Sequence, residues 1–133
     1  MEDKEILLHA EGLKKYFTVS RGLLSHHVEG IVKAVDGITL DIFKGETLGL
    51  IGESGCGKST LSNMLIGLSE PTEGKIYING HELDRSYLKE YRKIATMVFQ
   101  DPYSSIDPRM CMRRIIEEPL RIHTKMTRAE KSA

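Results

Sequence analysis

An α/β fold with an antiparallel β layer on its N-terminal side is what this sequence predicts, and three observations carry the prediction. The compact apolar run Leu48, Gly49, Leu50 and Ile51 has the length and composition of a buried parallel strand. It runs directly into Gly52, Glu53, Ser54, Gly55, Cys56, Gly57, Lys58 and Ser59, a complete G-x-x-x-x-G-K-S. Thr60, Leu61, Met64, Leu65 and Leu68 then recur at helical spacing, so Lys58 and Ser59 open a helix.

Strand, loop and helix in that order make a preformed anion nest. A polyphosphate has to come within hydrogen-bonding distance of consecutive backbone N–H groups, and Cβ atoms at the glycines would block the approach or forbid the positive-φ turns. The free N–H groups and positive dipole end of the following helix face the same anion. On this reading Lys58 reaches the β- and γ-phosphate oxygens. The Ser59 hydroxyl is one ligand of a Mg²⁺ that keeps most of its water, and Thr60 donates towards the α-phosphate. The alternative is a Gly-rich turn before an ordinary helix, and the order of the three elements argues against it.

Before the loop, Ile6 to Leu13 is weakly alternating and strand-compatible, and LKKYFTV from Leu13 to Val19 mixes β-formers with two lysines and an exposed aromatic, Tyr16. Arg21 to Gly30 reads as a loop; its adjacent His26 and His27 would point to opposite sides of an extended backbone and make a poor chelating pair. β character resumes from Ile31 to Leu40, with Asp36-Gly37 as a hairpin signal between IVKAV and ITLDIF. Lys44-Gly45-Glu46 is a second turn.

After the helix, Glu70 to Gly74 reads as a turn, Lys75 to Asn79 as a short strand, and Asn79-Gly80 as another turn. Ser86 is placed as the N-cap of a short helix carrying Tyr87, Leu88 and Tyr91. Ile94 to Phe99, IATMVF, reads as the next buried strand and ends in Gln100. DPYSSIDPRM has two Asp-Pro steps and little periodicity, which makes it a surface loop and a candidate contact site. Met112 to Ile116 looks helical, with Pro119 interrupting it. Thr127-x-x-Glu130 is a capping box with only three residues after it; a chain cut short and a frayed polar tail both account for it.

The bulk properties narrow the function. The 133 residues have the length of one domain, and 40% hydrophobic with 29% charged residues is a soluble globular composition. Nineteen basic and nineteen acidic side chains cancel, so net charge gives no support for nucleic acid or a membrane surface as partner. The start lacks a signal-peptide core, and no run is long enough to cross a bilayer, so the chain reads as cytosolic. Cys56 and Cys111 lack metal-site spacing and are expected to be reduced. Cys56, near a helix N-terminus, is either a candidate alkylation-sensitive thiol or simply a small residue filling a turn.

Taken in order, LKKYF, KAVDGITLDIFKGETLGLIGESGCGKSTL, EPTEGKIYING and MVFQDPYSSIDPRM closely resemble the N-terminal half of the ATP-binding subunit of an ABC transporter. Within that superfamily the chain looks most like the second ATPase subunit of dipeptide and oligopeptide importers. The resemblance implies a P-loop NTPase core, incomplete here, spanning 1–133. It implies ATP and Mg²⁺ as cofactors, and membrane permease subunits and a second ATPase subunit as partners, on the cytoplasmic face of the membrane. It assigns Tyr16 to the aromatic that stacks on adenine, Gly52 to Ser59 to the Walker A loop, and Gln100 to the Q-loop glutamine that touches Mg²⁺ and the attacking water. Without it, Tyr16 would read as a half-buried strand aromatic and Gln100 as a polar strand end.

The departures from the family pattern are equally specific. No segment resembles the LSGGQ signature, and no apolar run after the phosphate loop ends in the Asp-Glu pair of a Walker B strand. Asp41 precedes the loop, and His123 stands too early for the switch histidine. The expectation is a chain that binds nucleotide without competent turnover and has low intrinsic stability, because the strands lying between those of Leu50 and Val98 come from later in related domains. Alternatives are a non-transport ABC protein, a nucleotide-independent interaction module using Tyr103, Ile106 and Met110, or, more weakly, a small GTPase or nucleotide kinase.

Overall fold

The computed structural model describes residues 4–20, 28–101, 106–124 and 126. His26, His27, Tyr103 and the Thr127 to Glu130 capping box lie outside them. The chain divides after Ala95 into two compact units.

The first unit is built on a four-stranded sheet. Strand β1 (Ile6–Ser20) pairs antiparallel with β2 (Val28–Phe43) on one side and with β3 (Glu73–Ile78) on the other, and β3 pairs antiparallel with β4 (His81–Glu82). β1 reads as a strand because its apolar positions alternate: Leu8 and Ala10 face inward, opposite Ile78 and Ile76 of β3. Asn79 (φ 49°) and Gly80 (φ 79°) both take positive φ in the two-residue turn from β3 to β4, as the Asn-Gly pair predicts. The turn at Lys44 and Gly45 is also present, with the Phe43 N–H donating to Glu46 Oε2 at 2.9 Å.

Asp36-Gly37 is not a hairpin. β2 continues through it, and the register passes from Lys14↔Asp36 to Leu13↔Ile38, leaving Gly37 (φ 81°) as a bulge. A second shift follows, from Lys15↔Val35 to Tyr16↔Lys33, which leaves Ala34 without a ladder partner. A glycine with positive φ serves a bulge as well as a turn, and local sequence does not separate the two.

Helix α1 (Lys58–Leu65) packs Leu61 and Met64 onto the sheet, where they join Leu8, Ala10, Leu13, Val35, Ile76 and Ile78. It stops in a Schellman arrangement, with the Leu68 N–H donating to Asn63 O (2.8 Å) and the Gly67 N–H to Met64 O (3.0 Å). Leu68 therefore falls beyond the helix. α2 (Leu88–Ile94) closes the core with Tyr91, whose hydroxyl donates to Leu65 O at 2.9 Å, so one buried side chain satisfies a carbonyl that α1 cannot. Burial raises the Tyr91 phenol pKa.

Ser86 does not cap α2. The Asp84 carboxylate accepts the Ser86 N–H (2.9 Å), the Ser86 hydroxyl (2.6 Å) and the Tyr87 N–H (2.9 Å). These bonds, the Ser86 hydroxyl first, hold Asp84 below the usual carboxylate pKa.

Leu48 to Ile51 is not a strand in this chain. No pairing partner serves it among the described residues, and Ile51 is 97% exposed. Every pair in the described sheet is antiparallel. The predicted strand Ile94 to Phe99 is likewise absent: Ile94 ends α2, and Thr96 to Phe99, at the start of the second unit, carry no strand assignment, with Val98 84% exposed. Apolar composition supplies a reason to be buried; a strand also needs a neighbour for its N–H and C=O groups.

The second unit holds α3 (Met112–His123). Its N-cap is Cys111, and the helix runs through Pro119 instead of ending there. No residue of α3 is buried, so water can reach the Ile115 carbonyl that loses its partner to the proline. Ahead of α3, Asp107 accepts the Arg109 backbone N–H (2.9 Å) and side-chain Nε (3.1 Å), a tight turn within the predicted surface loop.

Exposed apolar edges of this kind drive association. Replacing Ile51 with Lys is expected to reduce concentration-dependent self-association in sedimentation velocity while leaving the far-ultraviolet circular dichroism of the sheet unchanged.

Candidate functional site

The loop from Gly52 to Gly57 is exposed over most of its length and ends against β2. Gly57 is the residue before α1 and lies in the left-handed region, φ +96°. A Cβ there would stand 2.1 Å from the carbonyl oxygen of Ala34, so only glycine lets the loop rest on the strand. Gly55 also has positive φ (+81°) but faces open space. A Cβ on Gly52 would meet Cys56 Sγ at 2.6 Å, which shows how closely the loop folds on itself.

α1 begins at Lys58, as the sequence predicts. The first helical bond is the Leu61 N–H to Gly57 O at 2.8 Å, which leaves the amides of Lys58, Ser59 and Thr60 at the open end without an intrahelical partner. No side chain caps this end. Lys58 folds back over the loop: its ammonium donates to Gly52 O (2.7 Å), to Glu53 O (2.6 Å) and, at 3.4 Å, to Cys56 Sγ. A cation, an uncapped helix start and glycines that admit close approach meet at one place, and that donor set fits a polyphosphate. Cys56 and Cys111 are both free and exposed, in line with the expectation that neither forms a disulfide. Among the described residues no group of three or more His, Cys, Asp or Glu side chains could hold a metal ion, so a Mg²⁺ here would depend on Ser59 and on the phosphates themselves.

Tyr16 is half-buried on β1, and both its backbone and its ring are held. Its N–H donates to Thr72 Oγ1 (3.0 Å), just past the point where pairing with β3 ends at Lys14↔Glu73. Its hydroxyl donates to Asp36 Oδ1, and Lys33, opposite it in the ladder, places its ammonium 5.1 Å from the ring centroid. Lys33 Nζ also donates to Asp36 Oδ2 at 3.2 Å. The Tyr16 hydroxyl bond is the main cause that lowers the Asp36 pKa and raises that of Tyr16, while Asp36 raises that of Lys33. Local sequence gives Asp36 only a turn and Lys33 no role; the signal that finds them beside Tyr16 is the β1–β2 register. Gln100 lies in the second unit, exposed in a bend.

A family profile described as ABC transporter matches residues 35–132. The chain belongs to the ABC transporter family. Among curated relatives, it is 44% identical to the oligopeptide transport ATP-binding protein AppF of Bacillus subtilis, over 98% of this chain and 40% of that protein. It is 45% identical to the dipeptide transport ATP-binding protein DppF of Haemophilus influenzae, over 94% of this chain and 38% of that one. The chain thus spans about 40% of the length of these relatives. In structure it is similar to the dimeric ATP-binding cassette MJ0796 in a post-hydrolysis state bound to ADP and Pi, with a TM-score of 0.72 and 28% identity. That match covers 93% of this chain and 52% of MJ0796. The ABC cassette fold is therefore shown for this chain, with an N-terminal antiparallel sheet and a few helices.

The two loop glycines differ in a way that binding measurements can read. A left-handed conformation costs a residue with Cβ about 1–2 kcal/mol, so Gly55→Ala is expected to weaken binding of inorganic tripolyphosphate by about tenfold. Gly57→Ala adds the collision with Ala34 O, and is expected to abolish that binding and lower the thermal midpoint further than Gly55→Ala does.

Proposed function

We propose that this chain is the nucleotide-binding part of the ATP-binding subunit of an ABC importer for oligopeptides, dipeptides or a similar small solute. The observation that carries the reading is the Gly52 to Thr60 arrangement: a lysine ammonium, an uncapped helix start and a loop held on β2 by Gly57. The likeness to oligopeptide and dipeptide transport ATP-binding proteins, over nearly all of this chain, supplies the solute class.

In this reading Gly52, Glu53, Ser54, Gly55, Cys56 and Gly57 offer backbone to the phosphates. The amides of Lys58, Ser59 and Thr60 complete the cradle, and the Lys58 ammonium moves from loop carbonyls to phosphate oxygens. A phosphate oxygen carries charge and a carbonyl only a dipole, so the exchange is favourable. Tyr16 offers a flat face to adenine. The Ser59 hydroxyl would be the protein ligand in this loop for a Mg²⁺ carried on the phosphates, and the ion would supply charge neutralisation there. Partners are membrane permease subunits and a second ATPase subunit, with the chain on the cytoplasmic face; among the described residues no helix is long and apolar enough to cross a membrane.

Turnover needs more than a cradle. Phosphoryl transfer to water requires an oriented nucleophile and groups that stabilise the departing charge, and the 133 residues contain neither a Walker B Asp-Glu nor an LSGGQ. The chain is accordingly read as a binder without competent hydrolysis. Titration with a fluorescent ATP analogue is expected to show saturable, Mg²⁺-sensitive binding that falls at least about tenfold in Lys58→Ala, the scale of losing one buried-quality charge-assisted contact to phosphate. Absence of such binding overturns the nucleotide reading. A Mg²⁺-dependent ATPase rate that vanishes with Lys58→Ala overturns the claim of incompetence, and failure to co-purify with a membrane permease overturns the importer assignment.

A further inference from the structure

Tyr16 is held at more points than an ordinary strand aromatic. An exposed strand tyrosine has two broad χ2 positions and several χ1 wells, and a planar ligand that stacks on it must select one of them. Here the selection is already made. The backbone is fixed by Thr72 Oγ1 at 3.0 Å, the hydroxyl by Asp36 Oδ1, and one face of the ring by the Lys33 ammonium, 5.1 Å from its centroid. Lys33 in turn holds the other carboxylate oxygen of Asp36 at 3.2 Å, so both oxygens of that carboxylate are engaged. With a cation over one face, a base can stack only on the other.

The origin of this cluster is the register of β2. Asp36 stands opposite Lys14 and Lys33 opposite Tyr16, and the unpaired Ala34 lies between. Without that extra residue, the side chains reaching Tyr16 would change faces. The same Ala34 gives the carbonyl on which Gly57 rests. Ala34 thus lies between the two residues that hold the aromatic and carries the carbonyl that stands beside Gly57.

We propose that Asp36 is a positioning residue for nucleotide binding: with Lys33 it locks the Tyr16 ring so that a purine meets a preset stacking face. The inference rests on the nucleotide reading given above. It concerns the base and not the phosphates, and this separates it from a merely structural role for Asp36.

The test compares dissociation constants of Mg²⁺-ATP and Mg²⁺-tripolyphosphate, each by displacement of a fluorescent ATP analogue from the full chain. Variants are Tyr16→Ala, Tyr16→Phe, Asp36→Ala and the double variant Tyr16→Phe with Asp36→Ala. Tyr16→Ala is expected to weaken ATP by about 5- to 150-fold, the range for losing a base–aromatic stack, with tripolyphosphate unchanged. Tyr16→Phe keeps the ring and the fold; it and Asp36→Ala are each expected to weaken ATP by about three- to tenfold, again with tripolyphosphate unchanged. The double variant is expected to match either single one within about twofold, because both remove the same bond. If Tyr16→Ala changes the ATP-to-tripolyphosphate ratio while Tyr16→Phe and Asp36→Ala leave it alone, the positioning role is overturned and the stacking reading stands. An equal loss for both ligands in Asp36→Ala shows a structural role and also overturns it. An unchanged ratio in Tyr16→Ala overturns the stacking reading, and the inference with it.

Discussion

The contact between the Ala34 carbonyl and Gly57 is the constraint from which the rest of the first unit follows. A loop of exposed glycines has no shape of its own, since each glycine gives up more conformational freedom than any other residue on becoming fixed. What fixes this one is backbone against backbone, at a separation that leaves no room for Cβ. Once Gly57 is seated, the direction of α1 is set, and with it the inward facing of Leu61 and Met64, which reach a core also lined by Leu13 and Ile76. Met64 is fully buried. The loop therefore inherits its rigidity from hydrophobic burial on one side and a strand bulge on the other.

Two apolar stretches with similar composition meet opposite fates in this chain. Leu8 and Ala10 of β1 have ladder partners on both sides and are buried; Leu48, Leu50 and Ile51 have none among the described residues and stay exposed, Ile51 almost completely. Burying an apolar side chain gains on the order of 1.5–3 kcal/mol, but burying its backbone without hydrogen-bond partners costs a comparable amount per group. The balance turns on partners, which composition does not encode. The loop from Gly52 to Gly57 is thus seated on a strand at its Gly57 end, while the segment leading into Gly52 has no ladder partner among the described residues.

Much of the local geometry was legible in the sequence. The G-x-x-x-x-G-K-S run, the start of α1 at Lys58, the Asn79-Gly80 turn and the Lys44-Gly45 turn all depend on residues within a few positions of one another. Non-local choices were not legible. Asp36-Gly37 carries the letters of a hairpin, yet the pairing of β2 along all of β1 makes it a bulge. Ser86 has the right chemistry for a cap, but Asp84 offers a charged acceptor to three donors and takes the role. Pro119 breaks a helix bond without breaking the helix because α3 buries nothing. Within the candidate site, the loop was legible from its motif, and Tyr16 was singled out by the resemblance alone. The residues that hold Tyr16 were not, since register across two strands decides which side chains reach it.

The position of Lys58 gives the loop a preference even before a ligand arrives. Its ammonium is satisfied by two carbonyl dipoles, Gly52 O at 2.7 Å and Glu53 O at 2.6 Å. A neutral ligand can offer only dipoles of similar strength, and would have to give up its own hydration to do so, so it gains nothing by displacing them. A polyanion offers full charges, so it adds ion–ion attraction where the carbonyls give the ammonium only charge–dipole attraction. It also meets the amides at the head of α1, where the helix dipole adds to the same field. On the proposed nucleotide reading, the self-contacts of the lysine act as a threshold: they tie Lys58 to the loop when nothing is bound, and a ligand with concentrated negative charge is what replaces them favourably.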